Sequence, residues 1–197
     1  MKKVALTGGI ATGKSHVLAQ LRKLGVPCLD SDAFAHGVLG AGTEATAQVA
    51  ARFGGEMIAP DGSVDRGRLA TIVFADPSAR RDLEAIVHPA VYRAITVGLR
   101  AFERIGDDPF AVVDVPLLYE TGHAADFDRV IVTVCSPSVQ LMRLRQRGMN
   151  EEEAQQRIAA QWPSGDKATR ADFVIRTDGT FAETDAQIAD ILKILTS

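Results

Sequence analysis

The chain changes its hydrophobic rhythm several times, and each change marks an element. Residues 2–7 (KKVALT) pass from two lysines into a short apolar run closed by Gly8-Gly9, the pattern of a buried strand. From Lys14 to Leu24 the apolar positions Val17, Leu18, Leu21 and Leu24 keep helical spacing, and Gly25 stands where such a helix stops. Val26–Leu29 reads as a second strand. Strand, loop, helix and strand in immediate succession make a βαβ unit, whose parallel strands need a right-handed crossover.

Residues 33–106 read differently. Helical spacing predicts helices over Ala33–Leu39, Glu44–Phe53, Arg68–Phe74 and Ser78–Ile105, with glycine-rich turns between the earlier pieces. His88-Pro89 predicts a bend in the last of them, because proline fits poorly inside a helix. Strands return at Phe110–Val115 and Arg129–Val134. A charged helical stretch follows over Val139–Gln161, interrupted near Gly148-Met149-Asn150. Asp172–Ile175 reads as a last strand and Phe181–Leu195 as a last helix. No internal repeat and no low-complexity linker is visible. The fold class is α/β: a parallel sheet flanked by helices. The expected division is a core of 1–32, 107–136 and 171–197, a helical insertion over about 33–106, and a smaller one over about 137–170.

Composition narrows the function classes. At 197 residues, with 46% hydrophobic and 24% charged side chains, the chain suits one globular unit with sub-lobes. A net charge of −3 excludes bulk electrostatic binding of nucleic acid or acidic membranes, so any anion must meet a local site. Cys28 and Cys135 form no metal-binding or disulfide pattern. No apolar run approaches a membrane span, and the run after Lys3 is too short for a signal peptide, so a cytoplasmic protein is expected.

The strongest chemical signal is Gly8-Gly9-Ile10-Ala11-Thr12-Gly13-Lys14-Ser15, a full match to GxxxxGK[ST] between a strand and a helix. Its glycines let backbone N–H groups turn toward phosphate oxygens, and the following helix aims its positive end at the same place. Lys14 is expected on the β- and γ-phosphates of a nucleoside triphosphate, and Ser15 on Mg²⁺. Asp30-Ser31-Asp32 closes the second strand, at the sheet edge where ligands of open parallel sheets sit. One of these aspartates is expected to cap the next helix and the other to take a proton from an acceptor hydroxyl. Asp114 ends the third strand after Phe110–Val113, the position of a partner for Mg²⁺. Arg143, Arg145, Arg147 and Arg157 flank Glu151–Glu153. They read as a solvated helix laced with ion pairs or as cations that close over a phosphate, with Arg147 the first candidate and Arg143 the second.

Taken together, GGIATGKS, LDSDAFAHGVL, APDGSVDRGRL, LEAIVHP, VVDVPLLYE, RLRQRG, QQRIAAQ and ADFVI, in this order, resemble the dephospho-CoA kinase family over nearly the whole chain. The resemblance implies ATP-dependent phosphorylation of the ribose 3′-hydroxyl of dephospho-CoA, with ATP and Mg²⁺ required. It implies a P-loop kinase core, a helical CoA-binding lobe at the first insertion and a mobile lid at the second. Asp32 becomes the expected base, supported by Asp30, with Lys14 and Arg147 on the transferring phosphoryl group. Gly8–Ser15, His16 and Arg143 form the expected nucleotide site, and Thr7, Asp30, Asp32, His88, Leu117 and Glu120 the expected acceptor contacts. The expected partners are dephospho-CoA and ATP, without nucleic acid or membrane, in a monomer or weak homo-oligomer. Two positions depart from the family pattern. Ala11 stands where glycine is usual; its methyl is small but sits where it can crowd the loop. Thr177 replaces the asparagine that usually follows the last strand, so an adenine-side contact through that residue is not carried over.

Two other readings compete. A nucleoside monophosphate kinase needs acceptor-side arginines, and Arg52, Arg66 and Arg68 keep it open. A switch GTPase needs NKxD and DxxG motifs; Asn150 is the sole asparagine and neither motif occurs.

Overall fold

The computed structural model describes residues 1–196. In chain order the elements are β1 (Lys2–Gly8), α1 (Lys14–Lys23), β2 (Cys28–Asp30), α2 (Ser31–Val38) and α3 (Glu44–Phe53). Next come α4 (Arg66–Ala75), α5 (Pro77–Ile105), β3 (Phe110–Asp114), β4 (Arg129–Val134) and α6 (Pro137–Gln146). The chain closes with α7 (Glu151–Ala159), α8 (Ser164–Ala168), β5 (Phe173–Arg176) and α9 (Phe181–Thr196). Two compact units result, one of Met1–Leu29 with the residues from Ala101 onward, the other of Asp30–Arg100.

In the first unit the strands lie side by side in the order β2-β3-β1-β4-β5. β1 pairs in parallel with both β3 and β4, placing Leu6 opposite Asp114 and Gly8 opposite Thr133. The inner strands are apolar because both faces are covered. On one face Val4, Leu6, Val112 and Ile131 pack with Val17 and Leu21 of α1 and Ile188 and Ile191 of α9. Leu6 and Leu21 are essentially fully buried, a burial that contributes about 1.5–3 kcal/mol for each such side chain. The chain leaves β1 toward β2 on one side and later crosses to β4 on the other. The strand order therefore reverses at the C-terminal end of β1, the switch point where ligands of such sheets bind.

The charged stretch after β4 breaks where its sequence indicates. Gly148 takes φ 87°, and Asn150 caps α7 in a reciprocal box with Glu153. α8 was not expected, since five residues are too few to show a helical period.

The second unit has its own core. Leu39, Ala45, Val49, Met57, Val64, Leu69 and Ala90 cluster, with Leu83, Ile86 and Val87 against them. One expectation changes here. Helix α2 opens at Ser31, not Ala33, so Asp32 sits in a first helical turn. α5 runs as one helix over Pro77–Ile105 with Pro89 inside it. Residues on both sides of Pro89 are pinned in the same cluster, which offsets the hydrogen bond and ring clearance that proline costs.

Candidate active site

The phosphate loop leaves β1 at the switch point and enters α1 through Gly13, which takes φ 88° and offers no side-chain cap. The opening amides of α1 thus stay available to an anion. A side chain at Gly13 would meet Thr177 at 3.0 Å, and one at Gly8 would collide with the Thr133 hydroxyl, so these glycines answer to crowding as well as to dihedral freedom. Ala11 adopts φ 60°, a left-handed conformation that costs alanine roughly 1–2 kcal/mol. Its methyl is buried against Leu144 of α6 and Ala154 of α7, and that packing offsets part of the cost.

Lys14 Nζ lies 2.6 and 2.8 Å from the two carboxylate oxygens of Asp114. Both side chains are largely buried, 15% and 10% exposed. The register explains the meeting: Asp114 ends β3 directly beside Leu6 of β1. Asp114, expected as a metal partner, here holds the lysine of the phosphate loop. Ser15 is exposed at the start of α1. Cys28 lies close enough to feel the Asp114 charge, but burial is the main cause that pushes its thiol up to about 11, so it stays protonated.

The loop is held from behind by side chains distant in sequence. Thr12 Oγ1 donates to the Gly9 carbonyl at 2.8 Å and shares a hydrogen bond with Thr133 Oγ1 at 2.8 Å. Gln140 Nε2 donates to the Ile10 carbonyl at 2.6 Å, and the Ile10 N–H donates to Gln161 Oε1 at 2.7 Å. Thr177 Oγ1 donates to the Thr12 carbonyl at 2.8 Å and accepts from Arg143 Nη1 at 3.0 Å. Arg143 also donates to the Ala11 and Thr177 carbonyls. Arg143, second candidate for a phosphate-covering cation, is therefore committed to bracing the loop in this structure. Sequence reasoning missed Thr133, Gln140 and Gln161. Thr177 was visible only as a departure from the family pattern.

Thr177→Val removes the hydroxyl and keeps the shape. It leaves a buried carbonyl and guanidinium N–H without their partner, at about 1–3 kcal/mol. A lower melting temperature and several-fold weaker ATP binding are expected, with Thr177→Ser restoring both. Unchanged ATP affinity in a nucleotide titration would show that the loop holds its shape without this contact.

The remaining candidates divide by their surroundings. Asp30 Oδ1 accepts the N–H groups of Asp32 (2.9 Å) and Ala33 (3.2 Å), the N-cap of α2. Asp32 is exposed, and its carboxylate has no hydrogen bond or ion pair among the described residues. Arg147 is exposed at the end of α6, and its guanidinium likewise has no ion pair among the described residues. His16 is turned from the loop toward α9, with Nε2 2.8 Å from Asp185 and its ring against Phe181. The Thr7 hydroxyl is buried and donates to the Pro116 carbonyl at 3.2 Å, tying β1 to the segment after β3. His88 lies half-buried on α5 in the second unit. Leu117 is exposed, whereas Glu120 turns inward to Lys167 Nζ at 2.6 Å. Lys167 is another residue the sequence did not single out.

Comparison with known proteins places the chain in a family. The family model described as dephospho-CoA kinase matches residues 2–183. A dephospho-CoA kinase of Geobacillus kaustophilus is 44% identical over 96% of this chain and 94% of its own. One from Anaeromyxobacter dehalogenans is 45% identical over 97% and 92%. The crystal structure of a Thermus thermophilus protein superposes with a TM-score of 0.82, at 31% identity, over 100% of this chain and 98% of that one. With a complete phosphate loop at the switch point of a parallel sheet, and a match running through almost all of its length, this chain belongs to the dephospho-CoA kinase family.

Proposed function

We propose that the protein transfers the γ-phosphoryl group of ATP to the ribose 3′-hydroxyl of dephospho-CoA, giving coenzyme A and ADP. The observation that carries this reading is the Lys14–Asp114 pair at the mouth of a complete phosphate loop, in a chain of this family. Asp114 neutralises Lys14. Phosphate oxygens entering the loop compete for the lysine and release the carboxylate. Ser15 and the released Asp114 then offer a hydroxyl and a carboxylate oxygen, hard donors that suit Mg²⁺ carried on substrate phosphates. That ion would spread the charge of the triphosphate as the terminal group departs.

Asp32 is the proposed base, since its carboxylate is exposed and uncommitted while Asp30 is occupied as a cap. Arg147 is the proposed cation over the transferring phosphoryl group, on the same ground of an unspent guanidinium. Residues 137–170 are read as the lid, anchored at its two ends by Gln140 and Lys167, and the helical unit, with His88, as the lobe that receives the CoA moiety. The segment from Leu117 to Glu120 is read as the acceptor loop of the sheet unit. Cys28 and Cys135 are both free thiols, which accords with a cytoplasmic setting.

A coupled assay of ADP release tests the reading, with dephospho-CoA run against AMP, CMP and GMP. Turnover of dephospho-CoA is expected with kcat/KM at least about a hundredfold above any of the three, the discrimination available to a site built around polar groups of its substrate. Preference for a nucleoside monophosphate would transfer the assignment to the competing kinase class.

A further inference from the structure

Lys167 is wholly buried, an unusual place for an ammonium group. Its Nζ is 2.6 Å from Glu120 Oε1, yet the contact is too poorly directed to be a hydrogen bond, so it is held by charge. The buried side-chain atoms without a hydrogen-bond partner among the described residues are Lys167 Nζ, Glu120 Oε2 and the Tyr119 hydroxyl. Two of these belong to consecutive residues, and the third is the ion-pair partner of Glu120. Glu120 Oε1 also accepts the Trp162 N–H at 3.0 Å. The Trp162 ring lies parallel to Tyr119, with centroids 6.1 Å apart, and Arg170 stands over it at 4.8 Å.

Stability alone does not account for this arrangement. Desolvating both ions costs several kcal/mol each, and apolar residues of similar volume often serve a core as well or better. The pair joins two segments that matter to the reaction. Ser164, the first residue of α8, approaches the phosphate loop so closely that a Cβ on Gly9 would meet its hydroxyl at 2.7 Å. Lys167 stands one helical turn further on and grips Glu120, at the end of the segment after β3. α8 thus lies against the phosphate loop at one end and is paired at the other with the segment carrying Leu117.

We propose that Lys167 and Glu120 are positioning residues for phosphoryl transfer: their ion pair locks the Leu117–Glu120 segment to α8 and so sets the acceptor loop in register with the phosphate loop. The inference rests on the reading of residues 117–120 as an acceptor loop. Neither side chain needs to touch a substrate. Loss of the pair leaves nucleotide binding to Gly8–Ser15 intact and misplaces the acceptor relative to the γ-phosphate, where a shift of about 1 Å is enough to cost up to a hundredfold in rate.

The test uses the full chain carrying Lys167→Met together with Glu120→Leu, which removes both charges and keeps the volume. A melting temperature at or above that of the wild type is expected, with unchanged ATP affinity. For dephospho-CoA, kcat is expected to fall by tenfold to about a hundredfold. Trp162, the single tryptophan, should change its emission, because its backbone donor loses Glu120. Glu120→Gln keeps that acceptor and drops the charge, so its kcat should lie between the two. A folded double variant with wild-type kcat and KM overturns the proposal. Should the double variant not fold, wild-type kinetics in Glu120→Gln overturn it equally, and failure of both variants to fold reduces the pair to a structural element. Wild-type protein assayed in parallel separates the two levels: no turnover there defeats the kinase assignment, not the role of the pair.

Discussion

Replacing Lys14 by methionine is expected to lower kcat by on the order of 10³-fold or more, the scale for removing a preorganised charge from a phosphoryl or oxyanion site. The sequence alone suggests that the fold would not notice, because Lys14 lies in a loop. The structure changes that expectation. Lys14 is 15% exposed and meets both oxygens of a nearly buried Asp114, so the variant strands a carboxylate beside β1. Breaking a fully buried pair costs 3–5 kcal/mol; with the residual solvent contact seen here roughly 1–3 kcal/mol is expected. Thermal melts should therefore show a lowered transition for Lys14→Met and partial recovery for Lys14→Met with Asp114→Asn, which removes the stranded charge. Activity should not recover in the double variant. Recovery of both together would mean that Lys14 serves the fold and not the phosphates.

Asp32→Asn is expected to reduce kcat with dephospho-CoA by about 10²–10⁴-fold, the usual contribution of a general base. A ribose hydroxyl must lose its proton as the bond to phosphorus forms, and in a largely dissociative transition state the base chiefly orients the hydroxyl and accepts the proton late. Asparagine keeps the shape and loses the basic oxygen. ATP affinity should stay within a few-fold, because Gly8–Ser15 are untouched. Asp30 provides the control. Asparagine caps helices as well as aspartate does, so Asp30→Asn should leave both stability and rate close to normal, whereas Asp30→Ala should cost about 1 kcal/mol through the lost cap of α2. Kinetics and melts of the three variants separate the roles. A dead Asp30→Asn beside an active Asp32→Asn would reverse them, and full activity in both would remove the carboxylates from the chemistry.

What the sequence by itself determined here was local. The run from Lys2 to Gly8 is a strand, Glu44–Phe53 is a helix to the residue, and GGIATGKS is a phosphate loop, because hydrophobic period and glycine chemistry act over a few neighbouring residues. The resemblance added the family, since its motifs extend along the chain. The tertiary structure decided what each side chain does. Arg143 reads in sequence as one of several lid arginines, yet Thr177, 34 residues on, draws it behind the loop. Lys14 and Asp114 are 100 residues apart and meet only because β1 and β3 pair in register. Pro89 weakens a helix locally, and the packing of Ile86, Val87 and Ala90 carries α5 through it. Lys167 carries no signal at all in a stretch of charged residues, because burial and pairing of an ammonium depend on which distant carboxylate the fold brings to it. Periodicity and motif spacing are properties of neighbours along the chain, whereas charge pairing and loop bracing are properties of neighbours in space.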